Sequence, residues 1–206
     1  AVARASGPTL EWLADAHGQE FVLLDGFLYP GHSRLRMHAH PDKTGEALVT
    51  SLLEAVSGAG IDVVTSAQVT DLIVTAEDRA VGVVITRPDG EVEEIGCEAL
   101  ILACNGYGGN PEMVKAHIPE MADALYFGHA GNQGDAIRWG GALGALPLHM
   151  GAYQGHGSVA HPHGVLITWA LMMEGGIQVN ADGRRFSNEH EGYSEQSVKV
   201  LAQPGG

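Results

Sequence analysis

The sequence predicts an α/β chain of the α+β kind, and three observations carry that expectation. An amphipathic run from Thr44 to Ala59 with helical spacing precedes short runs rich in β-branched residues, Ala67 to Ile95, that alternate with period two. The continuously apolar run Ala99 to Ala103 has the composition of a strand buried on both faces. Glycine-rich segments around Gly106, Gly134 and Gly176 punctuate the second half of the chain.

Taken in order, Pro8 to Ala16 reads as a short helix with Thr9 as its N-cap and Leu10, Trp12 and Leu13 as a partial apolar stripe. Gly18 ends it, Phe21 to Leu24 reads as a strand, and Gly26 to His40, which has no period, reads as loop. Thr44 caps the strongest helix: Ala47, Leu48, Ser51, Leu52 and Ala55 recur at three and four, and Gly58 and Gly60 stop it. Strands are expected at Ile61–Val64, Ala67–Ala76, Ala80–Arg87, Val92–Ile95 and Leu100–Ala103, with turns at Glu77-Asp78-Arg79 and Pro88-Asp89-Gly90. Helices are expected next at Pro111–His117 and Gly134–Leu143. Gly176–Phe186 reads as a hairpin turning at Asp182-Gly183.

Composition excludes whole classes of partner. The 206 residues suit one domain or somewhat more. With 25 acidic residues against 11 basic ones the net charge is −14, and no basic run exists to neutralise phosphates, so nucleic acid and anionic membranes are poor partners. The longest nearly apolar stretch, Gly164 to Met173, is far short of the ~20 residues of a membrane helix. At 45% hydrophobic and 17% charged the chain is not of a disordered type. Cys97 and Cys104 match no metal or disulfide spacing and read as buried reduced thiols. With no basic-then-apolar signal segment at the start, a cytoplasmic location is expected.

Chemistry concentrates in the glycine segments. Leu102 to Asn110 leaves an apolar run and enters a helix at Pro111; glycines at a strand end admit a ligand close to the backbone, though a plain turn has the same composition. Gly131 to Ala136 opens a helix whose N–H groups suit an anion, or which Asp135 caps itself. His38 with His40, and His161 with His163, are His-x-His pairs of the kind that binds Zn²⁺ or Ni²⁺. No acidic or cysteine partner stands at a suggestive spacing, so no metal site is expected. His117, His129 and His149 read as surface residues.

In order, these segments resemble the fumarate reductase and succinate dehydrogenase flavoprotein family, which includes 3-ketosteroid dehydrogenases. Leu102–Asn110 is similar to the family's L-A-T-G-G-F-G-G-N. Gly134–Ile137 is similar to its G-D-G-I, with Ala136 in place of the second glycine, followed by Gly144-Ala145 for its G-A. Gly175–Glu189 is similar to its G-G-I-x-V-N-x-x-G-x-R-F-x-N-E. The resemblance runs through essentially the whole chain and implies part of an FAD-binding domain, residues 1–150, and the beginning of a capping domain, 151–206. The family's G-x-G-x-x-G unit has no match, so the chain reads as an internal piece of a longer flavoprotein whose remainder is its partner.

By register, the resemblance implies that Val69 meets the adenine, that Ala103, Asn105 and Gly106 run along the FAD, that Asp135 contacts it, and that His156 binds substrate. Val69 and Ala103 read equally as core residues, and His156 equally as a solvated loop residue. The family's fumarate reductases place Glu and Arg where this chain has Trp169 and Met172, and a proton-donating Arg where it has Tyr193. A dicarboxylate needs fixed cations, and a proton donor must lie within reach, so fumarate reduction is disfavoured.

The expectation is therefore an FAD-dependent oxidoreductase acting on a C–C bond beside a carbonyl, closer to the ketosteroid dehydrogenases. Its substrate would be an apolar ketone, with His156 and Tyr193 as substrate-side residues. Trp169, Leu171, Met172 and Met173 would suit such a substrate and equally an ordinary core. The rivals are a chain that folds without binding FAD by itself, and a histidine-based metal-binding domain.

Overall fold

Caps and glycine stops set the helices, and cross-strand pairing sets the strands. The computed structural model describes residues 2–26 and 28–205; the loop expectation at Phe27 lies outside the described residues. The chain divides into two units, Ala1–Val64 and Thr65–Gly206.

In the first unit, α1 spans Val2–His17 and starts before the expected Pro8. Ala3, Arg4 and Ala5 are strong helix formers and carry the helix through Pro8, so Thr9 is not its N-cap. The Thr9 hydroxyl donates instead to the Ala5 carbonyl at 2.8 Å. Helix α2, Gly45–Gly58, sits where the spacing placed it, and Thr44 Oγ1 accepts from the Ala47 N–H at 3.2 Å. Buried Gln19 ties the exit of α1 to α2: its Nε2 donates to the Ser51 carbonyl at 3.2 Å, and the Ser51 hydroxyl donates to its Oε1 at 2.5 Å. Strand β1, Val22–Leu23, pairs antiparallel with β2, His38–Ala39. The segment expected to be loop therefore holds a strand, one too short to show any period and fixed by its partner. Ile61–Val64 forms no strand and is exposed.

The second unit opens with the expected meander: β3 (Gln68–Val74), β4 (Ala80–Thr86) and β5 (Val92–Gly96), antiparallel and in that order. Ile85, only 2% exposed, anchors its packed face. Arg87 pairs with Glu93 near the ends of β4 and β5. Gly82 marks a close approach, since a Cβ there would lie 2.5 Å from the Ile95 carbonyl oxygen.

Two expectations fail beyond the meander. Leu100–Ala103 is not a strand, and Ile101 is 88% exposed. A strand of that composition needs hydrogen-bonded neighbours, and none lies beside it among the described residues. The cysteines are not buried either: Cys97 is half-buried and Cys104 exposed, because the run that holds Cys104 is itself uncovered. Both are free thiols.

Helix α3 spans Pro111–His117, capped by the Asn110 side chain on the Met113 N–H, and α4 spans Asp135–Ala142. Hairpin β6–β7 (Val159–Ala160 with Val165–Leu166), α5 (Ala170–Met173) and α6 (Tyr193–Leu201) complete the unit. The turn at Asp182-Gly183 is present, closed by a bridge between Val179 and Arg185. Among the described residues no helix is long and apolar enough to cross a membrane.

Gly82→Ala is expected to force β4 and β5 apart at a cost of about 2 kcal/mol. A thermal melt checks this; an unchanged midpoint would show that the ladder has slack there.

Candidate functional site

The first two glycine segments meet. The Gly134 N–H donates to the Gly106 carbonyl at 3.2 Å, and the Gly109 N–H to the Asn132 carbonyl at 2.9 Å. Gln133 Nε2 donates to the Gly109 carbonyl at 2.8 Å. A Cβ on Gly109 would lie 2.8 Å from the Ala130 oxygen, so the loops close only around glycine. Asn105 stands just before this junction with φ +63°. Asn is the side chain that best tolerates this left-handed region, and it occupies a position where the family's pattern has Gly.

The bonded loops bring Asn105 and Gly106 close to the first turn of α4. Gly134, in the left-handed region, is the N-cap there. The expectation that Asp135 caps the helix is corrected: it is the first helical residue, and its carboxylate takes Arg138 Nη2 at 2.8 Å. Ala103 is exposed. Val69 lies half-buried on β3, paired with Ile85, and no hydrogen bond among the described residues joins it to the two loops.

Residues 154–158 form the second focus. A Cβ on Gly155 would collide with Ser197 Oγ, and one on Gly157 would lie 3.0 Å from the Gln196 carbonyl carbon. Helix α6 therefore lies directly on this segment, and His156 emerges between the two glycines. Its ring stacks on Tyr193, with centroids 5.1 Å apart and planes 19° apart. Trp169, 1% exposed, meets His156 edge-on at 6.0 Å and Tyr193 at 6.4 Å. His156 is half-buried, not solvated. Gln154 Nε2 donates to the Tyr193 hydroxyl oxygen at 2.7 Å. His156 Nδ1 lies 3.0 Å from Ser158 Oγ, which also lies 2.8 Å from the Ile167 carbonyl. Met172 is buried beside Trp169 in sequence, whereas Leu171 is exposed.

Behind the ring stands a polar brace. Gln178 Nε2 donates to the Gly157 carbonyl at 2.6 Å, and the Gln178 N–H donates to Glu189 Oε1 at 2.8 Å. Glu189, 2% exposed, is gripped by Arg185, whose Nε lies 3.0 Å from Oε2. The Arg185 hydrogen bonds hold the Glu189 carboxyl down at about 2 against its burial, with the Gln178 N–H adding to the effect. Burial lowers the His156 pKa below its ordinary 6.5, which favours a neutral ring. Sequence reasoning missed Ser158, Gln178 and Gln196; the only signal was the Gly-x-Gly-Ser pattern around His156. Among the described residues no three His, Cys, Asp or Glu side chains gather to hold a metal ion.

Both shifted groups bind protons less readily folded than unfolded, so acid must destabilise the chain. Stability is expected to hold above pH 6.5 and to decline below it as His156 protonates. It should fall further from pH 4.5 towards 2 as Glu189 is neutralised. Denaturant midpoints across pH test this. His156→Gln should remove the first decline; Glu189→Gln should remove the second and cost about 2 kcal/mol at pH 7.

Comparison with known proteins gives the family of the chain. The FAD binding domain family matches residues 1–206. The NADH:fumarate oxidoreductase of Klebsiella pneumoniae is 29% identical over 197 residues, 95% of this chain and 21% of that protein. The open conformation of a flavocytochrome c3 fumarate reductase superposes with a TM-score of 0.79 at 28% identity, covering 98% of this chain and 36% of the other. The 3-ketosteroid-Δ4-(5α)-dehydrogenase of Rhodococcus jostii RHA1 shares the fold, with a TM-score of 0.70 at 21% identity over 97% of this chain and 46% of that one. The chain spans between 21% and 34% of the length of the first curated relatives it matches. With both loops and the whole chain matched, the protein belongs to the FAD binding domain family.

Proposed function

We propose that this chain is part of an FAD-dependent oxidoreductase that forms or reduces a C=C bond beside a carbonyl in an apolar ketone. The observation that carries the reading is the His156–Trp169–Tyr193 cluster. Its aromatic faces and neutral imidazole suit an uncharged, flat substrate, whereas a dicarboxylate needs guanidinium or ammonium groups to offset its charge. Trp169, Met172 and Tyr193 stand where the resembling fumarate reductases carry charged residues. The relatives named as fumarate reductases support the flavin chemistry; the cluster supports the different substrate.

The loop pair fits the cofactor. Exposed Ala103 and left-handed Asn105 offer an open backbone edge, Gly106 adds no side chain to it, and the Asp135 carboxylate suits a hydroxyl of the sugar-like chain. Ala103, Asn105, Gly106 and Asp135 would hold FAD, with Val69 on the adenine side. When bound, FAD supplies hydride transfer at its flavin ring. His156 and Tyr193 orient the carbonyl compound and carry the accompanying proton, while buried Trp169 keeps water from their rings. In this reading residues 1–150 are the middle of the FAD-binding domain and 151–206 begin a capping domain. Two free thiols support a reducing, cytoplasmic setting.

For the 206 residues alone we infer no FAD binding. The bare apolar run at Ile101, with Leu146 and Leu148 also exposed, supports a cofactor face completed by the rest of the parent polypeptide.

A chain extended in both directions along its reading frame is expected to purify yellow or to take up FAD on titration, while the 206-residue chain does neither. The loaded extended chain should oxidise a cyclic ketone to its α,β-unsaturated product with an artificial electron acceptor and leave fumarate unreduced. His156→Gln should lower its kcat about 100-fold. A colourless extended chain that binds no FAD, or one that reduces fumarate and ignores the ketone, would defeat the reading.

A further inference from the structure

A serine hydroxyl has one proton, and a carbonyl oxygen can only accept. The Ser158 hydroxyl lies 2.8 Å from the Ile167 carbonyl, so its proton goes there. Ser158 cannot turn elsewhere. It is buried, and its own carbonyl accepts the Ile167 N–H at 2.9 Å, so the two residues close the β6–β7 hairpin from both sides. The same Ser158 oxygen lies 3.0 Å from His156 Nδ1. With its proton already committed, that oxygen can only accept, and Nδ1 must carry the hydrogen between them.

We propose that Ser158 is a positioning residue that holds His156 as the Nδ1–H tautomer, so that Nε2 presents a bare lone pair and acts on substrate as an acceptor of a proton or hydrogen bond. The tautomer also bears on substrate class, and that part rests on the reading given under Proposed function. A lone pair at Nε2 repels a carboxylate and a ketone oxygen alike. It suits a C–H made acidic by an adjacent carbonyl, or a hydroxyl donor. His156 is then the proton acceptor of a dehydrogenation, and the ketone oxygen is left to the Tyr193 hydroxyl. The proton from the carbon beside the carbonyl would move to Nε2, and FAD, when bound, would supply the acceptor for the hydride of the next carbon, so that atoms and charge balance as the C=C bond forms.

Free imidazole prefers the opposite tautomer, with the hydrogen on Nε2, so the chain must impose the Nδ1–H form. The stack on Tyr193 and the edge of Trp169 fix the ring plane but involve neither ring nitrogen in a way that selects a tautomer. Ser158 alone among these neighbours discriminates.

Nitrogen-15 NMR of the histidine-labelled 206-residue chain tests this above pH 7, with the His156 signals assigned by their loss in His156→Gln. The expected result is a protonated Nδ1 and a pyridine-type Nε2 at His156. Ser158→Ala should lower the Nδ1–H share roughly threefold, and Ser158→Thr should keep it. An Nε2–H tautomer in the unaltered chain overturns the proposal whether or not the variants fold, and so does an unchanged tautomer ratio in a folded Ser158→Ala chain. The readout needs neither flavin nor substrate, so a failed FAD titration would remove the proposed function and leave this assignment standing.

Discussion

Everything at the substrate side depends on how closely α6 lies against Gly155 and Gly157. A Cβ at Gly155 would collide with the serine at 197, and one at Gly157 would press to 3.0 Å from the backbone of Gln196. The two glycines let the helix descend onto the segment, and the residue between them is forced out towards Tyr193, the first residue of the same helix. One packing constraint thus fixes the histidine, its stacking partner and the buried tryptophan together. The brace behind it, from Glu189 through Gln178 to the Gly157 carbonyl, keeps the segment from retreating, because breaking it would take one hydrogen-bond donor from a carboxylate that is 2% exposed.

The cofactor side repeats the device with different residues. Glycines at 109 and 134 let two loops bond through their backbones, and Asn105 takes a left-handed turn at the edge they leave open. The Tyr107 hydroxyl donates to the Met150 carbonyl, tying this junction to the chain that leads into the histidine segment. In the proposed reading, backbone edges would face the cofactor, which suits a large, flat ligand held along its length.

Local signals were legible wherever the determinant lay within a few residues. Thr44, the spacing of Ala47, Leu48 and Leu52, and the Asp89-Gly90 turn place α2 and the meander correctly, because caps, periods and turns act at short range. Leu100–Ala103 misled because an apolar run reports what a strand wants, whereas pairing depends on neighbours distant in sequence. His38–Ala39 escaped notice for the same reason. The glycine segments were legible as loops, and their mutual hydrogen bonds were not. At the substrate side His156 and Tyr193 came from register within the resemblance. Ser158 did not, since the commitment of its single proton to Ile167 exists only once β6 and β7 have paired.

The central claim is that the glycine-backed approach of α6 presses His156 onto Tyr193. Nuclear Overhauser contacts between the two rings test it most directly, in the unaltered chain and in Gly155→Ala. The expected result is a clear set of ring-to-ring contacts in the native chain that weakens or vanishes when the added methyl lifts α6. Rings out of contact in the native chain, or contacts that survive Gly155→Ala unchanged, would contradict it.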